Sequence, residues 1–202
     1  MTNKINTFIF DCFGVIYDPP LGGWYKDNML RHGHIDENLG EILKEFDLGN
    51  LSEDDMLEYF SKYKGITSTK EEIRSEIDSY LKLDLKLVNI IKGLKSKGLK
   101  TALLSNGHSS FFERKIYKVY PEFKDLFNEI IISSEVRMIK PDKEIYLHAL
   151  DKIGSTPEEV LFIDDRQENV DGAINLGING FLYTDSIAFV KYINQLGINL
   201  DN

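Results

Sequence analysis

Three carboxylates stand directly after apolar runs, at points where buried strands would reach the surface. Asp11 follows residues 8–10, and the pair Asp164 and Asp165 follows residues 161–163. An aspartate is an uncommon neighbour for such a run unless something compensates its charge. If both runs are parallel strands of one sheet, their ends share an edge, and like charges that meet there raise one another's pKa values. A Mg²⁺ ion, which prefers oxygen ligands, would remove this conflict.

Two further segments end in polar residues of other kinds. Apolar residues 103–104 precede Ser105 and Asn106, and residues 138–139 precede Lys140. Ligands bind in the crevice outside the carboxyl ends of parallel strands. The four segments together predict one crevice, whereas each taken alone is equally typical of a turn, a helix N-terminus or an exposed lysine.

The elements between these segments alternate strand and helix, which predicts a doubly wound parallel α/β sheet. Apolar runs and chain breakers predict strands at residues 5–10, 100–104, 129–133, 160–163 and 180–183. Helices are predicted at residues 84–97, 109–119, 141–153, 167–176 and 185–196, with Pro141 as the first residue of the third.

The segment after the first strand does not follow this alternation. Residues 19–23, which contain two prolines and two glycines, are typical of a hinge that leads out of the sheet. Four helices are then predicted, at residues 24–32, 36–47, 52–64 and 68–81, with an apolar face to bury. We therefore expect an α/β core domain from residues 1–18 and 83–202, and a helical domain from residues 19–82.

Length and charge restrict the function. With 202 residues the chain can form one sizeable core, or one core and a small appended domain. Its 24 basic and 33 acidic residues give a net charge of −9 without any basic block, which argues against a nucleic-acid partner. A small phosphorylated molecule is compatible with this charge, because Mg²⁺ and a lysine can invert the field inside one cleft. No obligate protein partner is evident.

The chain also lacks the features of a membrane or secreted protein. No apolar run approaches the roughly 20 residues of a membrane helix, and no secretion signal is recognisable at the N-terminus. Cys12 is the only cysteine, so no intrachain disulfide can form, which fits a reducing compartment. We expect a cytoplasmic protein with no membrane partner.

The four polar segments, in this order, resemble the four motifs of the haloacid dehalogenase-like hydrolase superfamily, whose members are mostly Mg²⁺-dependent phosphatases. The predicted helices of residues 19–82 resemble the cap that folds over the crevice and selects the substrate in this superfamily. The first motif departs from the phosphatase pattern Asp-x-Asp, because Phe13 stands where the second aspartate is usual. The nucleophile position is present, and the usual general acid/base is missing.

The resemblance assigns a role to each carboxylate. Asp11 would be the nucleophile that forms an aspartyl-phosphate, which water then hydrolyses. Asp165 would bind Mg²⁺ directly, together with Asp11 and the main-chain carbonyl of Phe13. Asp164 would be a second ligand or one that acts through water.

The remaining motif residues receive supporting roles from the same resemblance. Lys140 would neutralise the nucleophile and the phosphate, and Ser105 would hydrogen-bond a phosphoryl oxygen. Asn106 and the backbone amides after it are candidates for the same group, and Phe13 would contact the substrate. Asn169 would orient the loop that carries the acidic pair, although an asparagine on a helix surface is the simpler interpretation.

Because Phe13 stands where the general acid is usual, the source of the proton for the leaving group is open. General acid–base assistance is worth about 10²–10⁴-fold in rate, so a phosphatase without it would favour good leaving groups. Alternatively a residue such as His32, or a hydroxyl of the substrate, supplies the proton. Of the other histidines, His34 and His108 are close enough in sequence to the hinge and the motifs to enter the cleft. Cys12 is interpreted as a buried structural thiol, because side chains alternate along a strand and it points away from Asp11.

Two other functions stay open. The true haloacid dehalogenases of the superfamily carry an aromatic residue at the position of Phe13 and need no metal, but they lack an acidic pair like Asp164 and Asp165. A catalytically silent binding relative is the third possibility. The residues favour a Mg²⁺-dependent phosphatase of a small phosphorylated metabolite, a sugar phosphate being one candidate.

Overall fold

The computed structural model of the chain describes residues 5–30, 33, 36–63 and 65–200. A five-stranded sheet, with every neighbouring pair parallel, has the strand order β3-β2-β1-β4-β5. The strands are β1 (Thr7–Phe10), β2 (Lys100–Ser105), β3 (Glu129–Ile132), β4 (Val160–Asp164) and β5 (Asn179–Leu182). This confirms the predicted doubly wound α/β fold class and all five predicted strands.

Helices cover both faces of the sheet. They are α5 (Leu85–Ser96), α6 (Ser109–Phe111), a π-helical segment (Phe112–Ile116), α7 (Tyr117–Val119), α8 (Ser133–Val136), α9 (Lys143–Ile153), α10 (Gln167–Ile174) and α11 (Ser186–Gln195). Short 3₁₀ turns lie at Pro121–Leu126 and Pro157–Glu159. Alternate side chains of the strands enter two apolar layers, one against α5 and α11 and the other against α9 and α10. The three central strands are therefore apolar on both sides, as the continuous runs predicted.

Before these come four helices between β1 and α5, which we call the inserted helices. They are α1 (Pro20–Asn28), α2 (Leu39–Asp47), α3 (Glu53–Ser61) and α4 (Lys70–Ser79). They enclose a hydrophobic cluster of their own around Trp24, Phe60 and Ile73, all three fully buried. Ser52 and Thr69 cap α3 and α4 through reciprocal capping boxes, which satisfy backbone N–H groups that the first turn leaves free.

Two local predictions are wrong. The residues expected to form a hinge instead begin α1 at Pro20, and Gly22 and Gly23 lie inside that helix. Proline is tolerated at the first helical position, and a side chain at Gly23 would collide with the Tyr80 ring. Pro141 does not open α9, because Asp142 precedes its first residue, Lys143.

Strand order brings the motif residues together. The chain runs from β1 outward to β3 and then returns to β4 on the other side of β1, so the order reverses beside β1. Phe10 of β1 pairs with Leu103 and Ile163, and the main-chain N–H of Asp11 donates to the Ile163 carbonyl at 2.8 Å. The carboxyl ends of three strands thus meet at the position where α/β sheets bind ligands. Among the described residues no helix is long and apolar enough to cross a membrane.

Candidate active site

Asp11 and Lys140 form a buried ion pair at the end of β1. The Lys140 ammonium lies 2.8 Å from Asp11 Oδ1, and the Lys140 side chain is completely inaccessible to solvent. Burial raises the pKa of Asp11 above its ordinary value, although Lys140 opposes the effect. Burial alone would lower the pKa of Lys140, but the carboxylates of Asp11 and Asp164 outweigh the effect of burial and raise this pKa. Lys140 therefore stays an ammonium, and its charge counteracts the effect of burial on Asp11.

Asp164 is the second partner of Lys140. Its Oδ2 atom accepts from the Lys140 ammonium at 2.6 Å, and its Oδ1 atom accepts from the main-chain N–H of Arg166 at 2.9 Å. The Asn169 amide donates to both Asp164 oxygens, at 3.0 and 3.1 Å. Asn169 is buried, and its main-chain carbonyl accepts from the Tyr146 hydroxyl. It is therefore not an exposed asparagine on a helix surface, which was the simpler interpretation of the sequence. These bonds fix the start of α10 relative to the lysine.

Asp165 completes an acidic cluster. One carboxylate oxygen each from Asp11, Asp164 and Asp165 lies within 4.8 Å of the other two. Burial and the neighbouring Asp164 raise the pKa of Asp165. Lys140 compensates only part of the charge of these three carboxylates, and the cluster contains no soft ligand, so the donor set fits a hard divalent cation such as Mg²⁺.

Gly14 makes room for this cluster. Its φ of +94° lies in the region that favours glycine, and a Cβ atom placed there would overlap the Asp165 carboxylate. The loop after β1 can therefore approach the acidic pair only because residue 14 has no side chain.

Replacing Gly14 by alanine is expected to weaken Mg²⁺ binding by about tenfold, because Asp165 must turn away from the new methyl group and one ligand is lost. Isothermal titration with MgCl₂ measures this without relying on activity. Gly98→Ala is the matched control, since Gly98 has a φ of +79° but open space around it. An unchanged affinity in Gly14→Ala would contradict a metal role for Asp165.

Ser105 and Asn106 have different hydrogen-bond partners. Ser105 is fully buried, and its hydroxyl lies 3.3 Å from the Asn106 carbonyl. The Asn106 amide exchanges two hydrogen bonds of 2.9 Å with the backbone of Lys140, one from each end of the group. Asn106 therefore holds the backbone of the lysine segment, a positioning contact that the motif reasoning did not foresee. Phe13 is half-buried between the rings of Phe111 and Phe112.

The remaining sequence candidates lie in different places. His32 and His34 are outside the described residues. His108 borders the cavity, and its Nδ1 atom accepts from the Ser110 N–H while its ring stacks on Phe46 at 4.7 Å between centroids. Cys12 is completely buried, and burial raises the pKa of its thiol, in agreement with a structural role.

A cavity of about 330 Å³ opens from the acidic cluster toward the inserted helices. Its floor contains Asp11, Lys140 and Asp165. The walls contributed by the inserted helices are mostly apolar and include Leu21, Leu39, Leu43, Phe46, Met56 and Phe60. A ligand with its charged end at the floor would therefore have apolar atoms along most of its remaining length.

Three charged residues on the walls, Glu53, Arg74 and Arg114, form ion pairs with one another or with neighbouring acids. Arg114, from the π-helical segment, binds Glu53 of α3 at 2.6 Å and also Asp78 of α4. Arg74 of α4 lies 2.6 Å from Asp54 and 3.5 Å from Glu53. This network connects α3 and α4 to the π-helical segment and leaves its charges largely compensated.

Asp47 is a cavity residue that the motif analysis missed. It is the last residue of α2, and its carbonyl accepts from the Ser133 hydroxyl at 2.6 Å. Burial raises the pKa of its side chain to about 7, against the opposing charges of Lys140 and Arg166. The one feature of the local sequence that could have drawn attention to Asp47 is its position in the last turn of a helix, where the helix dipole disfavours a negative charge.

Comparisons with known proteins agree with this geometry. Sesquiterpene phosphatase astK from Aspergillus oryzae is 29% identical over 97% of this chain and 98% of its own length. An (S)-2-haloacid dehalogenase from Pseudomonas putida is 22% identical over 86% of this chain and 82% of its own. The fold matches that of a HAD family enzyme from Bacteroides thetaiotaomicron, solved with magnesium and inorganic phosphate, with a TM-score of 0.70 and 21% identity over 90% of this chain and 96% of that one. A sequence model of the haloacid dehalogenase-like hydrolases matches residues 5–177, and the chain belongs to that family.

Proposed function

We propose that the chain is a Mg²⁺-dependent phosphatase that hydrolyses the phosphomonoester of a small, largely apolar alcohol. The observation that carries the proposal is the buried Asp11–Lys140–Asp164 triad, with Asp165 beside it, at the floor of an apolar cavity. The phosphatase from Aspergillus oryzae, which is related over nearly the whole chain, supports the same chemistry. The inserted helices would act as the cap that selects the substrate.

Asp11 would carry the covalent step. Its free carboxylate oxygen attacks phosphorus, while Lys140, 2.8 Å from Oδ1, opposes the effect of burial and favours the ionised form of Asp11. Water then cleaves the aspartyl-phosphate and restores Asp11. Mg²⁺ would be held by Asp11, Asp165 and the main-chain carbonyl of Phe13. Asp164 would bind the ion either directly or through a water molecule. When bound, the ion neutralises the phosphate charge as the nucleophile approaches.

The walls favour an apolar alcohol over a sugar. Each hydroxyl of a buried sugar needs a hydrogen-bond partner, whereas the charged wall groups Glu53, Arg74 and Arg114 are engaged with one another or with neighbouring acids. Burying a methylene group instead contributes about 0.8 kcal/mol. The name of the Aspergillus relative, a sesquiterpene phosphatase, points to the same class of substrate. A prenyl or medium-chain alkyl monophosphate is thus the proposed substrate.

Dehalogenation is the second candidate, because Phe13 stands where the dehalogenases carry an aromatic residue and because a dehalogenase is among the relatives. The three clustered carboxylates argue against it, since chemistry at carbon needs no metal.

Phosphate release from a substrate panel tests the proposal. The panel contains geranyl, farnesyl and decyl monophosphates, sugar phosphates and p-nitrophenyl phosphate, each with MgCl₂ and with EDTA; 2-haloacids are assayed for halide release. Mg²⁺-dependent release that is fastest with prenyl or alkyl phosphates is the expected result. Fastest release from a sugar phosphate would overturn the substrate class, and halide release without metal would overturn the phosphatase reaction.

Replacing Leu43 by glutamine is expected to raise KM for a prenyl monophosphate about tenfold, because it sets a polar amide against the apolar chain. Leu43 lines the cavity at the α2 wall. KM for p-nitrophenyl phosphate, which is too short to use the same length of wall, should change less than threefold. Leu147→Gln on the exposed face of α9 is the control. Equal changes for both substrates would contradict an apolar binding wall.

A further inference from the structure

The proposed function lacks a proton donor in the usual place. A leaving alkoxide must be protonated, and Phe13 has no proton to give. Its ring packs against Phe111 and Phe112 at centroid distances of 5.8 and 5.7 Å, so aromatic contacts occupy this side of the floor. Prenyl and alkyl alcohols are poor leaving groups, for which acid assistance matters most.

Most titratable groups around the cavity are already committed. Lys140 and Asp165 are part of the charged group at the cavity floor, and Glu53 is bound by Arg114 and Arg74. The Nδ1 atom of His108 accepts a backbone hydrogen bond, and burial lowers the pKa of its ring, which favours the neutral imidazole. A neutral imidazole whose acceptor nitrogen is occupied is a weak proton donor.

Asp47 differs from all of these. Its side chain lines the same cavity as Asp11, and within the described parts of the chain its carboxylate has no hydrogen bond or ion pair to another side chain. The backbone is nevertheless fixed, because Ser133 bonds the Asp47 carbonyl and the adjacent Phe46 stacks on His108. An anchored, uncommitted carboxyl group thus stands on the part of the cavity wall that α2 contributes.

The electrostatic setting suits an acid that works near neutral pH. Burial raises the pKa of Asp47 to about 7, and the charges that oppose the shift are Lys140 and Arg166. A general acid is most effective when its pKa lies near the working pH. The last turn of a helix is an unfavourable place for a carboxylate, so this position disfavours the charged form further.

We propose that Asp47 is the general acid/base of this enzyme and replaces the acid that the first motif lacks. The inference rests on the proposed phosphatase function. As Asp11 forms its bond to phosphorus and the P–O ester bond breaks, the Asp47 carboxyl gives its proton to the leaving oxygen and the free alcohol departs. The Asp47 carboxylate then takes a proton from the water that attacks the aspartyl-phosphate. Hydrogen phosphate, Asp11 and the Asp47 carboxyl are restored.

The test compares leaving groups in Asp47→Asn and Asp47→Ala. Rapid-quench assays follow the first turnover of decyl monophosphate, a poor leaving group, and of p-nitrophenyl phosphate, a good one. In both variants alcohol release from decyl monophosphate should slow by about 100-fold. The p-nitrophenolate burst should keep its rate within threefold and then give way to a slower steady state, because the base for the second step is also gone. Glu41→Gln, an exposed carboxylate on the same helix, is the matched control and should alter neither substrate.

Two results would overturn the assignment. Equal slowing of both first turnovers would indicate a structural role, and no slowing of either would exclude the proton transfer. His32→Gln is assayed in parallel, and a leaving-group-dependent loss confined to that variant would assign the acid to His32 instead. A wild-type protein with no Mg²⁺-dependent turnover would overturn the proposed function together with this inference, whereas wild-type turnover with unaltered Asp47 variants would overturn this inference alone.

Discussion

Asp11→Asn is expected to lower Mg²⁺-dependent release of p-nitrophenolate by at least about 10³-fold, because an amide cannot form the acyl-phosphate that the proposed mechanism requires. The substitution preserves shape, and Lys140 keeps its 2.6 Å partner in Asp164. The fold should therefore survive the change, with a cooperative thermal transition. Steady-state kinetics and circular dichroism measure the two effects separately.

Asp18→Asn is the matched control for this variant, since Asp18 lies seven residues later on the exposed surface. It should leave turnover unchanged. Activity of Asp11→Asn within tenfold of the wild type would assign the reaction to another nucleophile. Labelling with ³²P from a radioactive substrate adds a direct check, because a trapped phosphoenzyme should form in the wild type and not in the Asp11 variant.

The sheet could be predicted from sequence because its information is local. Central parallel strands are buried on both faces, so each appears as a short continuous apolar run, and residues 8–10 and 161–163 have no polar interruption. The polar residue that ends each run then marks the edge of the sheet. These two facts predict that Asp11 and Asp164 lie at one edge of the sheet, whereas their shared ion pairing with Lys140 is seen only in the structure.

The start of the inserted helices was harder to predict, because prolines and glycines occur both in hinges and in the first turns of helices. The segment around Pro20 and Gly23 contains the residues of a hinge, yet it forms the first turns of α1. What decides the outcome is tertiary: Gly23 lets the Tyr80 ring lie against the helix, a contact between residues 57 positions apart. No pattern within the segment contains this information.

Two features of the site that the motifs did not indicate also depend on packing. Asn106 lines the cavity and stays a candidate for binding a phosphoryl group, but the bonds of its side-chain amide to the backbone of Lys140, 34 residues away, follow from no motif. Asp47 belongs to no motif, and its place on the cavity wall depends on the packing of α2, whose last carbonyl accepts a hydrogen bond from the Ser133 hydroxyl. Motif spacing identifies the groups at the ends of the strands, whereas the residues of the inserted helices are positioned by how those helices pack. We therefore expect the acid that the first motif lacks to lie on the inserted helices rather than in the motifs.

The largest stability effect is expected at Lys140. Lys140→Met removes the cation between Asp11 and Asp164 and leaves two buried carboxylates without a counter-charge. Losing one partner of a buried ion pair costs about 3–5 kcal/mol. Urea denaturation at pH 7.5 in EDTA should show a loss of this size in the free energy of unfolding. Lys143→Met, an exposed lysine three residues later, should change it by less than about 0.5 kcal/mol.

The sign of the pH dependence follows from the carboxylates that remain. Burial already raises the pKa of Asp11 in the presence of Lys140. Without the lysine this pKa rises further, so the folded variant takes up a proton that the unfolded chain releases. A raised folded-state pKa favours the native state at low pH and loses that contribution as pH rises. The deficit of Lys140→Met relative to the wild type should therefore be small at pH 5 and largest near pH 8.

Magnesium provides an independent check on the same variant. A cation that binds the folded state alone stabilises it by mass action, and the acidic cluster of Lys140→Met has more uncompensated charge than that of the wild type. Adding 10 mM MgCl₂ should thus restore more stability to the variant than it gives to the wild type, while turnover stays low because no ammonium faces the phosphate. If the deficit does not change with pH and Mg²⁺ stabilises both proteins equally, the lysine does not balance the charges of the floor.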